Sequence, residues 1–147
     1  MRVDTLKFKY SYNADQADLY KTLIDEQLKY FQRMDPRIRH LEKGTSIKAQ
    51  LTTKVKKLAT TNTMTVKDIE QNKLFQFETE QPDGSILQTY KFETNKRGKK
   101  YLVYSEKNTF NNARNQTNFM LIEMFYKFFY NRGVKKRMQY LDDLAIN

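Results

Sequence analysis

Cysteine is absent from this chain, which removes disulfide frameworks, thiolate nucleophiles and thiolate metal sites. Histidine occurs once, at His40, so a histidine-based metal centre is not available. Flanked by Arg37, Arg39 and Glu42, that imidazole reads as a surface loop residue without a catalytic partner. Only four glycines are present, none in GxGxxG or GxxxxGKS/T order, which excludes the nucleotide sites built on those loops. A GxSxG elbow is missing as well. The carboxylate pairs Asp25/Glu26 and Asp142/Asp143 occupy adjacent helical positions, so their side chains diverge and are expected in solvent or in salt bridges. An enzyme of familiar type is not expected, and neither is a cofactor or a metal.

Long hydrophobic runs are missing too. The longest apolar stretch, "NFMLIEMFYKFFYNRG" at Asn118–Gly133, is broken by Glu123 and Lys127 and falls short of the ~20 residues that span a bilayer. The opening "MRVDTLKFKY" alternates from the start and contains no signal-peptide core. These features lead to an expected cytoplasmic location, and the lysine- and asparagine-rich usage to a bacterial source. A length of 147 residues fits one domain, 1–147, with a core of its own.

Positive charge is abundant. The net charge is +10, in small groups at "RMDPRIRH" (33–40), "KVKK" (54–57), "NKRGKK" (95–100) and "VKKR" (134–137). Spread in this way, it reads as solvated faces rather than a nucleic-acid arm. In "LKFKYSY" and "QTYKFE" the aromatics and lysines fall on opposite faces of a strand, which argues against a stacking platform for single strands.

Periodicity supplies the architecture. Residues 5–12 alternate, with Leu6, Phe8 and Tyr10 on one face. A helix over 14–33 follows, with Asn13 and Gln16 at capping-box spacing and Pro36 enforcing its end. From Gly44 to about 108 the pattern is β: Ile47 and Ala49 share a face, as do Asn62, Met64 and Val66, and then Phe75 and Phe77. "PDG" at 82–84 predicts a hairpin into a strand with Ile86, Gln88, Tyr90 and Phe92 on one side. "NKRGK" predicts a second turn, into a strand where the Leu102/Tyr104 and Tyr101/Val103 phases compete. Residues 113–145 are compatible with one helix of about 50 Å at 1.5 Å per residue.

Strand, helix, five antiparallel strands and a long helix make an α+β fold with helices on one face of a curved sheet. In that order, carried by "LKFKYSYNADQADLYKTL", "FQFETEQPDGSILQTYKFE" and "VKKRMQYLDDLA", the chain resembles the START/Bet v 1-like (SRPBCC) superfamily. The resemblance covers essentially the whole chain and implies a helix-grip fold, its sheet of six to seven strands wrapped around the C-terminal helix. Six strands are counted here, against seven in the larger members. The chain is also similar to uncharacterised bacterial members, a likeness that implies no activity.

On a helical wheel, Leu121, Ile122, Phe125, Phe128 and Phe129 form one broad apolar face, whereas Val134, Met138, Leu141 and Ala145 lie nearly opposite. The apolar stripe thus changes sides near Gly133, and two environments must cover it. The second half is expected on the sheet. The first is expected to pack under the first helix, close a cavity, or pair with a second subunit through Leu121, Phe125, Phe128 and Phe129. Inward polar residues among apolar neighbours suit a small-molecule pocket. The candidate ligand-binding residues are Tyr10, Asn62, Met64, Gln88, Tyr90, Tyr104, Phe125 and Phe129. The leading expectation is a binder or carrier of a small apolar or amphipathic ligand. A homodimeric module with a filled core is the first alternative. An anionic-surface binder using Lys54–Lys57, Lys96–Lys100 and Lys135–Arg137 is the second.

Overall fold

Strict alternation makes β1 (Arg2–Ser11), where Leu6 is buried while Lys7 and Lys9 stay exposed. In the computed structural model, residues 2–51, 60–81, 84–110 and 133–147 are described. Helix α1 (Gln16–Met34) buries Leu19, Tyr20, Leu23 and Phe31, a 3.6-residue stripe, and stops at Asp35 because Pro36 disfavours helical backbone before it. Its N-cap is Asp15, whose side chain makes no capping bond, so the expected Asn13/Gln16 capping box does not form. The Asn13 N–H is taken instead by a distant carboxylate, Asp142, at 2.9 Å. Gln16 Nε2 donates to the Asn72 carbonyl at 2.6 Å, tying the start of α1 to the turn at 71–73. Asn72 holds φ at +63°, a left-handed conformation that asparagine tolerates.

The remaining strands are β2 (Ser46–Leu51), β3 (Thr60–Glu70), β4 (Leu74–Gln81), β5 (Gly84–Thr94) and β6 (Lys100–Phe110). All pair antiparallel in the order β1-β6-β5-β4-β3-β2, so the chain's first strand closes against its last. The result is the curved six-stranded α+β sheet expected from the sequence. Pro82 and Asp83 of the expected "PDG" turn lie outside the described residues, but Gln81 and Gly84 pair across it. At the β5–β6 turn, Asn95 Oδ1 accepts the Arg97 and Lys99 N–H groups at 2.9 Å each, and Gly98 supplies a φ of +79°.

In β6 the Leu102/Tyr104 phase faces inward, followed by Glu106 and Asn108, all buried. Val103 is buried as well, on the other face between Lys9 and Lys91 in the register. Burial on both faces is why alternation alone left this strand's phase open. Tyr101 also faces outward, with Lys9 Nζ at 4.7 Å and Lys99 Nζ at 5.5 Å from its ring centroid.

Residues 133–146 form helix α2. Val134, Met138 and Leu141 are buried, and Ala145 packs against the same core, as the helical wheel predicts. Each of the three buried side chains contributes about 1.5–3 kcal/mol. Leu121, Phe125, Phe128 and Phe129, and with them the change of side before Gly133, lie outside the described residues. No described helix is long and apolar enough to cross a membrane.

Candidate functional site

Cross-strand register aligns the inward side chains in rows. One row runs Phe75–Tyr90–Tyr104–Phe8, and the next Phe77–Gln88–Glu106–Leu6. Aromatic rings fill the first row: Phe75 meets Phe77 at 5.5 Å and Tyr90 at 6.5 Å, and Tyr90 meets Tyr104 at 4.7 Å between centroids. In the second row, polar groups replace rings at two positions. Between this part of the sheet, the later turns of α1 and the start of α2 lies a cavity of about 290 Å³. Gln27 and Tyr30 line it from α1, Met64 from β3, Phe77 and Thr79 from β4, Gln88 and Tyr90 from β5, and Arg137 from α2.

A hydrogen-bond chain borders the cavity. Tyr104 OH donates to Glu106 Oε1 at 2.7 Å and receives Gln88 Nε2 at 2.6 Å. The acceptor carboxylate orders this chain, because the phenol that donates to it must accept at its own oxygen and so takes the amide's N–H end. The Arg137 guanidinium carbon sits 4.8 Å from the Tyr104 ring centroid. Arg137 is exposed on α2 and lies over this ring with part of its side chain lining the cavity.

Burial, above all, pushes the Tyr104 phenol far up, with Glu106 and Tyr90 adding to it and the Gln88 bond and Arg137 opposing. Tyr90 is likewise raised by burial, opposed by Arg137 and reinforced by Glu106. Both phenols are therefore neutral at ordinary pH; Tyr104 serves as a hydrogen-bond donor and Tyr90 as a wall of the cavity, and neither as a base. Burial pulls the Arg137 guanidinium down, but Tyr90, Tyr104 and Glu106 outweigh it and hold the group above its usual value. The cavity thus carries a permanent cation. The Asn108 amide nitrogen, buried further along β6, has no hydrogen-bond partner among the described residues.

Of the residues expected at a ligand site, Met64, Gln88 and Tyr90 line the cavity, and Tyr104 lies against Tyr90 and Arg137. Asn62 is buried on β3 two residues from Met64. Tyr10 stands elsewhere: its OH donates to Asp142 Oδ2 at 3.1 Å. Phe125 and Phe129 lie outside the described residues.

Asp142 corrects the expectation of a solvated pair. It is 1% exposed, and its carboxylate accepts the Asn13 and Ala14 N–H groups as well as Tyr10, fastening α2 to the loop ahead of α1. Asp25 and Glu26 do pair in solvent, with Lys21 at 2.8 Å and Lys29 at 3.4 Å. His40 is exposed and lies 3.4 Å from Glu42.

Sequence reasoning missed Arg137, Glu106 and Thr79. Glu106 follows from the alternation once Leu102 and Tyr104 are known to face inward. Arg137 lies three residues after Val134 and four before Leu141, on the flank of the buried stripe, so helical phase carried a signal. The basic group "VKKR" concealed it.

The model of the family described as Domain of unknown function (DUF3284) matches residues 6–127. No curated protein matches the sequence. Among solved structures, the chain is similar to a protein of unknown function from Staphylococcus aureus, with a TM-score of 0.64 and 8% identity over 99% of this chain and 96% of that one. Norcoclaurine synthase from Thalictrum flavum gives 0.59 and 7% identity, covering 99% and 87%. Ara h 8.0201 gives 0.58 and 11% identity over 99% of each chain. These likenesses show a Bet v 1-like helix-grip fold. On its family match and its architecture together, the chain belongs to the DUF3284 family of domains of unknown function.

Proposed function

We propose that this protein, read as a single bacterial cytoplasmic domain, binds or carries a small apolar or amphipathic molecule. The molecule occupies the cavity between sheet, α1 and α2. The observation that carries the proposal is the cavity itself: about 290 Å³, walled by Tyr30, Met64, Phe77 and Tyr90, with Gln27, Thr79, Gln88 and Arg137 converging on it. Apolar walls with a few placed polar groups are what hold and orient a small ligand. A small-molecule role accords with the fold shared with norcoclaurine synthase. Among the candidate residues, Met64, Gln88 and Tyr90 line the cavity, and Tyr104 stands behind Gln88 and Tyr90. Asn62 is a flanking member, and Phe125 and Phe129 belong to the proposal on their sequence phase alone.

The alternatives draw less support. The dimer face expected at Leu121, Phe125, Phe128 and Phe129 lies outside the described residues. In the anionic-surface set, Lys54–Lys57 lie outside the described residues, and Arg137, exposed on α2, also lies over the Tyr104 ring and lines the cavity.

Native mass spectrometry of freshly purified protein, followed by thermal unfolding against a lipid and metabolite panel, tests the proposal. A ligand at a hundred times its Kd adds about 2.7 kcal/mol, which raises the melting temperature by several degrees. Absence of any co-purifying molecule, together with no melting shift across the panel, would overturn it.

A further inference from the structure

The cavity's charge is asymmetric. Among the described residues that line it, Arg137 is the one charged side chain, and it enters at the end bounded by Gln88 and Tyr104. Tyr30, Met64, Phe77 and Tyr90 supply the rest of the wall chiefly as apolar surface. The Arg137 guanidinium carbon lies 4.8 Å from the Tyr104 ring centroid, and the group also hydrogen-bonds the Tyr104 side chain. A guanidinium carries five N–H donors in one planar fork, so the donors that Tyr104 does not take can serve whatever occupies the cavity.

We infer that the ligand is a small amphipathic carboxylic acid, its carboxylate against Arg137 and its apolar body against Met64, Phe77 and Tyr90. This rests on the ligand-binding reading above. A carboxylate matches the fork in two parallel hydrogen bonds, whereas an alcohol offers one oxygen and an ammonium group repels the cation. A doubly charged phosphate fits less well. Glu106 stands one hydrogen bond behind Tyr104 and two behind Gln88, so it repels any anion at this end and a doubly charged one about twice as strongly as a carboxylate. The open pocket sets a scale for the body. At about 30 Å³ per water, a cavity of about 290 Å³ holds roughly ten non-hydrogen atoms, the size of an eight-carbon chain or a phenyl ring with a short tether.

Two matched probe sets separate head from body: octanoate, octanol and octylammonium, and hydrocinnamate with hydrocinnamyl alcohol. Titration calorimetry on the purified full chain measures each. Each acid is expected to bind about tenfold or more tighter than its alcohol, with octylammonium weakest. In Arg137→Gln the ratio of acid to alcohol should collapse toward one, and Arg137→Lys should restore part of it. Circular dichroism and the urea midpoint verify that each variant is folded. Should Arg137→Gln not fold, the ordering of acid, alcohol and ammonium on the native chain still decides. Alcohols that bind as tightly as acids would overturn the inference and leave the ligand-binding reading standing. An undiminished preference in folded Arg137→Gln would also overturn it. Failure of every probe to bind at millimolar concentration would overturn the inference and count against the wider reading, which the metabolite panel judges separately.

Discussion

The two ends of the sheet's inner face are made of different chemistry. At one end Phe92 meets Tyr12 at 5.8 Å and Tyr20 at 6.0 Å, and Leu19, Leu23 and Leu102 are fully buried around them. A few residues along the same strands, Thr79, Gln88, Glu106 and Asn108 take the inward positions. Aliphatic side chains there would raise stability more simply, since a satisfied buried hydrogen bond nets only about 1 kcal/mol and an unsatisfied group costs about 1–3 kcal/mol. The first end is built for cohesion. The second accepts a cost in stability and gains a polar, cation-bearing cavity.

That contrast can be broken most forcefully at Phe75, which is fully buried and in ring contact with Phe77 and Tyr90. Phe75→Ala is expected to cost about 3–5 kcal/mol, measured by urea denaturation. Tyr104→Phe tests the polar end. It keeps the ring under Arg137 but deletes the hydroxyl that joins Gln88 to Glu106, so the expected loss is about 1–3 kcal/mol. If Tyr104→Phe cost as much as Phe75→Ala, the polar end would be as structural as the packed one, and the distinction drawn between them would fail.

Much of the packed end was legible in the sequence, because burial of one face imprints a period. Phe92 there, like Leu6, Phe75, Phe77 and Tyr90 in the rest of the sheet's apolar face, follows from alternation, and Val134, Met138 and Leu141 follow from helical phase. The polar end was only half legible. Gln88 and Tyr104 share a face with apolar neighbours and stand out for that reason. Arg137 does not, because a cation beside Lys135 and Lys136 looks like solvent-facing charge until a tyrosine from another element lies under it. Asp142 was hidden for the same kind of reason. Its partners Tyr10, Asn13 and Ala14 are some 130 residues away, and no local pattern announces a pairing of that range.

The smallest expected effect sharpens the comparison from the packed side, through Tyr10 and Asp142. The Tyr10 phenol is pushed up to about 12 from an ordinary 10.0, first by burial, then by its hydrogen bond to Asp142 and by the charges of Asp142 and Asp143. The folded chain therefore holds this proton more tightly than the unfolded chain does. Its stabilising contribution is complete below about pH 10 and is lost as pH rises toward about 12. Other buried tyrosines add to the alkaline loss, so the informative quantity is the difference between the native protein and Tyr10→Phe. Urea midpoints collected across that window should fall more steeply for the native chain. Parallel profiles would mean that the Asn13 and Ala14 amides hold Asp142 unaided. The join between β1 and α2 would then be insensitive to alkali, and the packed end would owe its cohesion to apolar contact and backbone hydrogen bonds.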